Sequence, residues 1–408
     1  MLDYAAARAL VFEHTRPLSH ELRPLPEARG FAAAEDLRAS HPLPLFDNSA
    51  MDGYAVRSEE VSEAGEGGPV LLENLGYIPA GDPGDFQVGP GQCAQIATGA
   101  PVPPGADAVV MKEDVRVNGQ QVAVLKALRR HENLRFRGED IAEGRVIIAQ
   151  GTRIGPAQIS VLASFGFAEV PVIRPPSVSI VSTGNELVEV QEQPGPGQLR
   201  ESNRYMLRAL IEEENCPVDL VQMAPDDPGK LREIFAQALE ADLMLISGGM
   251  SVGDHDFTKS TFAELGIERL FWKIRVKPGK PLFFGRRGDT LVFGLPGNPS
   301  SSYVLFGEFV RPAIRKMMGL RDLELPMVNA VLAEPVSECI PRMQFLRAQL
   351  WESGGEYRVR QLPFQGSNSI GSLVDSNALI QVEPNTPGLP AGTRVRVRPL
   401  NNSIVLPE

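Results

Sequence analysis

The chain has 408 residues, 43% of them hydrophobic and 22% charged, and a formal net charge of −11. This composition is typical of a globular protein, and the acidic balance argues against a nucleic-acid partner held on a basic face. The three cysteines form no Cys-x-x-Cys pair, which gives no support to a disulfide framework or a cysteine-ligated zinc site. No charged-then-apolar leader or membrane-length apolar run is evident, so we expect a soluble cytoplasmic protein with no membrane partner.

The N-terminal part of the chain predicts a helix followed by a small β domain. Residues 3–12 have a helical pattern, with Asp3 placed as the N-cap. From about residue 46 to residue 124, short apolar runs alternate with glycine and proline clusters, and Asn118-Gly119 marks a hairpin between two of them. A second helix is predicted over residues 156–166. If the two helices pack together, the β domain is an insertion within a discontinuous N-terminal domain.

Beyond Arg174-Pro175-Pro176 the pattern changes to alternating strands and helices, which predicts a parallel sheet covered by helices. A long helix is expected from Pro299 to Gly319. From Val328 onward, five apolar runs are predicted as strands without helices, which favours a C-terminal β domain or barrel. The predicted domains are an N-terminal linking domain (1–45 and 140–175), an inserted β domain (46–139), an α/β domain (176–325) and a C-terminal β-barrel domain (326–408).

Three predicted strands of the α/β segment end in glycine-containing loops. The loops carry Ser182-Thr183-Gly184, Ser247-Gly248-Gly249 and Leu295-Pro296-Gly297-Asn298-Pro299. In an open α/β sheet, the loops at the carboxyl ends of the strands line one crevice. Glycine also lets several backbone N–H groups turn toward one anion. The sequence therefore predicts a phosphate or nucleotide site at this edge of the sheet.

Four acidic side chains are placed on these strand-end loops, namely Glu186, Asp226, Asp254 and Asp256. Magnesium is usually held by one or two carboxylates and keeps water and substrate oxygens as its other ligands. A cluster of acids beside glycine loops therefore favours a Mg²⁺ site. For Asp256 the alternative is a structural one, because this residue can cap the helix that follows it.

A basic segment with Lys273, Lys277 and Lys280 follows the acidic loop. If the segment 273–277 is extended, Lys273 and Lys277 point to the same face, because side chains alternate along a strand. Two ammonium groups on one face suit an oxyanion. The alternative is a set of ordinary surface lysines.

Several motifs, in this order along the chain, resemble those of the molybdopterin molybdenumtransferases, the family of bacterial MoeA and the gephyrin E domain. The motifs are FDNSAMDGYAV, TGAPVPPGADAVV, RGEDI, STGNEL, SGGMSVGDHDFTK and LPGNPSS, and the likeness covers nearly the whole chain. The resemblance implies a multidomain α/β plus β fold, with a central three-layer MogA-like α/β domain containing a parallel-rich sheet, an inserted β domain and a C-terminal β-barrel domain. It also implies an elongated homodimer in which both subunits contribute to each active site.

The activity implied by the resemblance is the Mg²⁺-dependent insertion of molybdate into adenylylated molybdopterin (MPT-AMP), with release of AMP, in molybdenum cofactor biosynthesis. Other proteins of that pathway are possible partners. The implied catalytic residues are Asp52, Thr98, Asp140, Glu186, Asp226, Asp256, Lys273 and Lys277, with Glu186, Asp226 and Asp256 as the metal ligands. The implied substrate-binding residues are Ser247, Gly248, Gly249, Ser251, Gly253, Pro296, Gly297, Asn298, Pro299, Arg347 and Ser369. Of these residues, Asp52, Thr98 and Asp140 would reach the site from the neighbouring subunit.

Some alternatives stay open at the level of sequence. Ser367, Ser369 and Ser372 each match the family's late serine, and we choose Ser369. An adenylyltransferase that activates molybdopterin shares the α/β module, and a non-catalytic scaffold is the rival from another class. Tungstate in place of molybdate is also open. Neither a P-loop ATPase nor a Rossmann dehydrogenase is supported, because neither glycine motif is present.

Overall fold

The computed structural model describes residues 1–82, 84–250, 257–337 and 340–400. The chain forms two compact units. The first, here called the main unit, comprises residues 1–35, 150–160 and 168–408, and the second, the inserted unit, comprises residues 36–149 and 161–167. Among the described helices, none is long and apolar enough to cross a membrane. The finer division into four domains stays a prediction.

The α-helices are numbered along the chain. They are α1 (Tyr4–His14), α2 (Pro156–Ser164), α3 (Asn203–Glu212), α4 (Pro228–Ala238), α5 (Phe257–Glu264), α6 (Pro299–Leu305), α7 (Arg311–Met317) and α8 (Gly371–Asp375). A π-helical turn, Phe306–Val310, joins α6 to α7. Short 3-10 turns occupy Leu25–Glu27, Ser58–Glu60 and Lys112–Asp114.

The strands are numbered in the same way. They are β1 (His20–Pro24), β2 (Ala32–Ala33), β3 (Leu37–Arg38), β4 (Asn48–Ser49), β5 (Gly53–Val56), β6 (Gly65–Ile78), β7 (Gln92–Ile96), β8 (Ala108–Met111), β9 (Val115–Asn118), β10 (Gln121–Lys126), β11 (Leu134–Arg135), β12 (Val146–Ile148), β13 (Glu169–Ile173), β14 (Val178–Thr183), β15 (Leu187–Val188), β16 (Leu199–Arg200), β17 (Val218–Ala224), β18 (Leu243–Ser247), β19 (Glu268–Trp272), β20 (Val276–Lys277), β21 (Phe283–Arg287), β22 (Thr290–Leu295), β23 (Val328–Leu332), β24 (Met343–Ser353), β25 (Glu356–Gln361), β26 (Ala378–Val382) and β27 (Arg394–Pro399).

The α/β sheet of the main unit has the strand order β17-β14-β18-β22-β21-β19. The first four strands are parallel, as the alternating pattern predicted. The last two, β21 and β19, are antiparallel additions at one edge. Strands β14 and β18 are buried along their whole length, which is usual for parallel strands covered on both faces. The sheet is therefore parallel-rich and mixed at its edge.

Two helices of the main unit begin at a side-chain cap. Asp227 caps α4 by accepting a hydrogen bond from the N–H of Lys230 at 2.9 Å, and Pro228 takes the first helical position. Asp3 caps α1 in the same way through the N–H of Ala6 at 2.8 Å. Ser202 precedes α3 but its side chain makes no capping bond. The long helix expected from Pro299 is present, and the π-helical turn interrupts it.

A closed five-stranded barrel lies in the C-terminal part of the main unit. Its order is β24-β25-β23-β27-β26, and β26 pairs with β24 to close it. Inward-facing apolar side chains of these strands form one core cluster. The prediction of strands without helices was wrong in one place, because α8 precedes β26. Strand β20 extends the sheet by pairing in parallel with β24.

The inserted unit contains a six-stranded sheet of order β8-β5-β7-β6-β10-β9. The predicted hairpin is confirmed, since β9 and β10 are antiparallel and Asn118 pairs with Gln121. Its two-residue loop is Gly119–Gln120, one residue later than the Asn-Gly signal. Gly119 takes a φ of +61°, as the first central position of such a turn allows for glycine.

Candidate functional site

The carboxyl ends of four adjacent parallel strands meet at one edge of the α/β sheet. In sheet order the strands are β17, β14, β18 and β22. The segments that follow them carry, in turn, Asp226, Glu186, the Ser247-Gly248-Gly249 loop and the Pro296-Gly297-Asn298 loop. The prediction that the three glycine loops line one edge is confirmed, and the fourth strand adds Asp226 to the same edge.

The Ser247-Gly248-Gly249 loop requires both of its glycines. Gly248 and Gly249 have φ values of +92° and +63°, where other residues are strained. A Cβ on Gly248 would lie 2.3 Å from the carbonyl oxygen of Thr183, and one on Gly249 would lie 2.4 Å from Oγ1 of Thr258. The loop is therefore built against the end of β14 and the first turn of α5.

The same loop touches the Pro296-Gly297-Asn298 loop. A Cβ on Gly297 would lie 3.8 Å from the Cα of Gly248. The N–H of Gly248 donates to the carbonyl oxygen of Leu295 at 3.1 Å. The two loops therefore lie side by side, joined by this hydrogen bond, and a Cβ at position 297 would fit at ordinary van der Waals distance.

Glu186 and Asp226 are brought together through Asn185. The N–H of Asn185 donates to Oδ2 of Asp226 at 3.3 Å, and the N–H of Asp226 donates to Oδ1 of Asn185 at 3.1 Å. Glu186 is exposed, and no described residue donates a hydrogen bond to its carboxylate. Within the described ranges, no three His, Cys, Asp or Glu side chains form a group that could hold a metal. Asp256, the third predicted ligand, lies outside the described residues, as do Ser251, Gly253 and Asp254.

A groove of about 630 Å³ lies between the basic segment, the Pro296–Ser301 segment and the C-terminal barrel. Three cationic side chains, those of Lys277, Lys280 and Arg342, line it, and none of the described lining residues is acidic. The remaining lining residues are Pro278, Gly279, Pro281, Pro296, Asn298, Ser301, Ser337, Leu346, Gln361, Pro363, Gln365, Gly366 and Ser367. Three cations in a lining whose described residues include no carboxylate suit an anionic ligand.

Lys273 and Lys277 do not lie on one continuous strand, so the predicted extended segment was wrong. Lys273 directly follows β19 and has a φ of +69°, in the left-handed region. Its N–H donates to the carbonyl oxygen of Leu282 at 2.9 Å, which turns the chain between β19 and β20. Lys277 lines the groove from β20, and Lys273 is not one of the described lining residues. Lys280 and Arg342, the groove's other cations, were not among the predicted site residues.

At one end of the groove, the segment that begins α6 contacts the loop before α8. Asn298 donates through Nδ2 to Oγ of Ser367 at 2.9 Å, and Ser300 donates through Oγ to the carbonyl oxygen of Ser369 at 2.7 Å. Of the three late serines, Ser367 lines the groove, and Ser369 provides a backbone acceptor there. Ser372 donates to the same carbonyl at 2.8 Å. The structure therefore places Ser367 in the position for which we chose Ser369.

Arg347, a predicted substrate-binding residue, is not one of the described residues that line the groove and lies next to it. Its side chain is fully buried, and Nη2 donates to the carbonyl oxygens of Phe364 at 3.1 Å and Gly366 at 2.9 Å. Burial lowers the pKa of Arg347, and its Nε and Nη1 have no partner among the described residues. In a trans peptide the C=O and N–H point in opposite directions. The N–H groups of Gln365 and Ser367 therefore point away from the guanidinium.

Gln365 also fixes the loop from Phe364 to Ser367 through side-chain hydrogen bonds. Its Oε1 accepts from the N–H of Arg347 at 3.0 Å, and its Nε2 donates at 2.8 Å to the carbonyl oxygens of Arg347 and Leu362. The Arg347 side chain thus binds backbone carbonyl oxygens on both sides of Gln365, and the Gln365 side chain binds the backbone of Arg347. The loop from Phe364 to Ser367 is held in one conformation by these two residues, of which Gln365 was not among the predicted site residues.

Asp52 and Thr98, two predicted site residues of the inserted unit, are in direct contact. The N–H and the hydroxyl of Thr98 both donate to Oδ1 of Asp52 at 2.8 Å. These two hydrogen bonds, with the nearby charge of Lys112, hold the pKa of Asp52 below its usual range. Asp140 lies on a separate turn, where its N–H donates to the carbonyl oxygen of Leu43 at 3.2 Å.

The fold and the site define a multidomain α/β protein with a cation-lined groove beside glycine loops at the carboxyl edge of its sheet. Three family models match the chain: the MoeA N-terminal region (domain I and II) over residues 2–166, a probable molybdopterin binding domain over 179–316, and the MoeA C-terminal region (domain IV) over 329–400. A curated molybdopterin molybdenumtransferase of Haemophilus influenzae is 35% identical over 98% of this chain and 99% of its own length.

Two further relatives agree with these matches. The Bacillus subtilis molybdopterin molybdenumtransferase is 37% identical over 89% of this chain and 86% of its own length. The crystal structure of the moeA protein from Pyrococcus horikoshii OT3 has a TM-score of 0.85 and 31% identity, and covers 98% of this chain and 100% of its own. The chain belongs to the molybdopterin molybdenumtransferase family, whose members are transferases of molybdenum cofactor biosynthesis.

Proposed function

We propose that the protein inserts molybdate into adenylylated molybdopterin and releases AMP, which completes the molybdenum cofactor. The observation that carries this proposal is the cation-lined groove, whose described lining residues include no acid and which shares Pro296 and Asn298 with one of the glycine loops at the sheet edge. Both substrates are anions, so their encounter needs fixed cations and backbone donors. The groove and the glycine loops provide these two kinds of group side by side.

Within this proposal, each part of the site has its own ligand. Lys277, Lys280 and Arg342 hold the tetrahedral oxyanion by charge, and the outward N–H groups of Gln365 and Ser367 donate to its oxygens. Arg347, behind the loop, adds a buried positive charge that favours an anion in front of it. The glycine loops hold the phosphoanhydride through backbone N–H groups other than that of Gly248, which donates to Leu295. This division orients the two substrates without requiring either to be distorted.

Glu186 and Asp226 are the residues that would hold Mg²⁺. Two carboxylates fit this ion, which commonly completes its shell with water and substrate phosphate oxygens. When bound, Mg²⁺ would neutralise phosphate charge and polarise the phosphoanhydride. This assignment is tested with substitutions at two neighbouring acids. Asp226→Asn should raise the Mg²⁺ concentration for half-maximal activity by about tenfold or more. Asp227→Asn keeps a capping residue at α4 and should leave that concentration unchanged.

We further propose a cytoplasmic homodimer, in which Asp52, Thr98 and Asp140 act at the site of the partner copy. Homodimers of Asp52→Ala and of Lys277→Ala would each be inactive. After the two variants are unfolded together and refolded, the mixture would recover up to about a quarter of the wild-type activity, because about half of the dimers are mixed and each mixed dimer has one intact site of two. Absence of recovery in a mixture that contains mixed dimers would contradict the shared site.

The proposed reaction is tested by measuring AMP release chromatographically from protein, adenylylated molybdopterin and Mg²⁺, with and without molybdate. We expect release that depends on molybdate. Arg342→Ala should raise the KM for molybdate by about tenfold, which is the loss of one charged contact. The matched control is Arg286→Ala, since Arg286 pairs with Glu268 on the surface outside the groove. Equal release without molybdate would identify a phosphoanhydride hydrolase, and no release would contradict the transfer reaction.

A further inference from the structure

Asn203, the first residue of α3, joins the two glycine loops from beneath. Its Nδ2 donates to Oγ of Ser247 at 2.8 Å and to the carbonyl oxygen of Gly297 at 2.8 Å. The partners lie 44 and 94 residues away in sequence. One amide group therefore spans the start of the Ser247-Gly248-Gly249 loop and the centre of the Pro296-Gly297-Asn298 loop.

The side chain is not explained by helix capping. The capping position before α3 belongs to Ser202, whereas the Asn203 amide reaches the loops. Asn203 is 6% exposed, and its Oδ1 is buried with no hydrogen-bond partner in the part of the chain that the structure describes. An unpaired buried acceptor lowers stability. An asparagine chosen only to stabilise this position would not leave that atom unpaired.

The end of β14, next to the Ser247-Gly248-Gly249 loop, also contains buried polar atoms without described partners. The hydroxyls of Ser182 and Thr183, at the end of β14, are buried and also lack partners among the described residues. Buried polar atoms without partners concentrate where geometry serves a ligand more than it serves stability. Asn203 thus lies in a polar layer directly under the two loops.

The Asn203 bridge continues into the groove. Gly297, which it holds, precedes Asn298, and Asn298 donates to Ser367 at the groove's end. Gly297 also lies beside Gly248, whose N–H donates to the carbonyl oxygen of Leu295 on the same loop segment. A displacement of the Gly297 carbonyl would therefore change both the spacing of the two loops and the groove contact.

We propose that Asn203 is a positioning residue that fixes the two glycine loops relative to each other and so sets the distance between the phosphoanhydride and the groove. This inference rests on the proposed function, in which the loops and the groove hold the two substrates. Asn203 itself does not touch either substrate in this scheme. Small misplacements of reacting groups cost large factors in rate, so its loss should lower kcat more than it raises KM.

The test uses Asn203→Asp, which keeps the shape of the side chain and suits a helix N-terminus. The carboxylate cannot donate to Gly297 and repels its carbonyl oxygen. We expect kcat for AMP release to fall by about tenfold or more, with KM for adenylylated molybdopterin within about threefold of wild type. Asn203→Ser, which retains one donor, should recover part of kcat.

Asn377→Asp is the matched control. Asn377 is buried in the barrel, where its Nδ2 donates to the carbonyl oxygen of Leu350 at 2.8 Å. It should lower stability without changing kcat or KM per folded molecule. If Asn203→Asp also behaves in this way, Asn203 only stabilises the fold and the inference is overturned.

Hydrogen exchange separates this inference from the proposed function. In Asn203→Asp, or in Asn203→Ser if the first variant does not fold, the amides of residues 247–250 and 295–298 should exchange faster than in wild type, whereas the barrel should not change. Unchanged exchange in both loops would overturn the positioning role whatever the activity. If wild-type protein releases no AMP, the proposed reaction fails, and the exchange result still decides whether Asn203 fixes the loops.

Discussion

Gly249 combines two separate requirements for glycine. Its φ is +63°, and an added Cβ would lie 2.4 Å from Oγ1 of Thr258 and 2.8 Å from Oγ1 of Thr183. Gly266 shares the first requirement only, because its φ is +70° and nothing lies within 4 Å of an added Cβ. A comparison of Gly249 with Gly266 therefore separates the cost of backbone strain from the cost of the steric clash in the ligand loop.

We therefore predict that Gly266→Ala lowers the free energy of unfolding by about 1–2 kcal/mol, the usual cost of a left-handed alanine. Gly249→Ala should cost about 1–3 kcal/mol more, since two hydroxyls must move, and should reduce AMP release by at least about tenfold. Denaturant unfolding and initial rates measure the two effects. Equal losses of stability and activity in the two variants would contradict the steric argument.

Glu214 is a buried carboxylate of the main unit that pairs with three arginines. It is 3% exposed and forms ion pairs with Arg153 at 2.8 Å, Arg311 at 2.9 Å and Arg315 at 2.8 Å. Burial by itself raises the pKa of Glu214, but the hydrogen bonds and charges of Arg315 and Arg153 outweigh it and hold the pKa below its usual value. The folded state therefore favours the ionised carboxylate.

This shift predicts a pH-dependent stability. Because the folded pKa is lowered, the contribution of Glu214 is fully present above its unfolded pKa and is lost as the pH falls through the folded value. Glu214→Gln should lower the free energy of unfolding by about 3–5 kcal/mol at pH 7. The difference from wild type should shrink as the pH falls below about 4.3, the ordinary glutamate pKa. A difference that is constant from pH 7 to pH 3 would contradict this assignment.

At the scale of elements, the segment from Phe364 to Ser367 is a loop without regular structure that is nevertheless fixed. Arg347 binds two of its carbonyl oxygens, and Gln365 binds the backbone of Arg347 and Leu362. The strand β24 thereby supports one wall of the groove. Rigidity of this wall determines where the N–H groups of Gln365 and Ser367 point.

We predict that Gln365→Ala raises the KM for molybdate by about fivefold or more, because the wall loses three hydrogen bonds and its preorganisation. The melting temperature should fall as well, because two of the three lost hydrogen bonds are to the backbone of the fully buried Arg347. Gln381→Ala is the control, as Gln381 makes a single exposed contact, with Glu383 at 3.2 Å. A molybdate KM equal to that of the control would show that the loop needs no such support.

At the scale of the whole molecule, a buried ionic network holds distant parts of the main unit together. Glu308, on the π-helical turn, is fully buried and accepts a hydrogen bond from the hydroxyl of Tyr4 at 2.5 Å. Arg398 of the barrel approaches Glu308 at 3.1 Å and Glu324 at 3.1 Å. Arg8 of α1 pairs with Glu324 and donates to the backbone of the π-helical turn. One network thus connects α1, the long helix and the barrel.

Removal of Arg398 should leave Glu308 as a buried carboxylate with one cation fewer. We predict that Arg398→Met lowers the free energy of unfolding by about 3–5 kcal/mol. Arg394→Met on the same strand should cost about 0–1 kcal/mol, because Arg394 pairs with Glu356 as a side chain 75% exposed. Denaturant unfolding of both variants decides the matter, and similar losses in the two would contradict a stabilising role for the network.

The sequence by itself determined the elements of the α/β segment and the loops at its carboxyl edge. Runs of buried apolar residues, capping residues such as Asp3 and Asp227, and glycines at strand ends act within a few residues, so their pattern carries the local structure. The acids Glu186 and Asp226 were found in the same way. The strand order was not predicted, because β17 lies between β14 and β18 in the chain but on the outer side of β14 in the sheet.

The groove and its support were decided by tertiary structure alone. Ser367, and not Ser369, lines the groove, and Arg347 lies beneath the loop. Lys280 and Arg342 line the groove, and Asn203 joins the two glycine loops. Each of these placements depends on contacts between segments far apart in the chain. Lys273 departs from a strand because Leu282, nine positions later, accepts its N–H. Local pattern contains no information about which side chains meet when a barrel packs against strand ends, and only the folded chain supplies it.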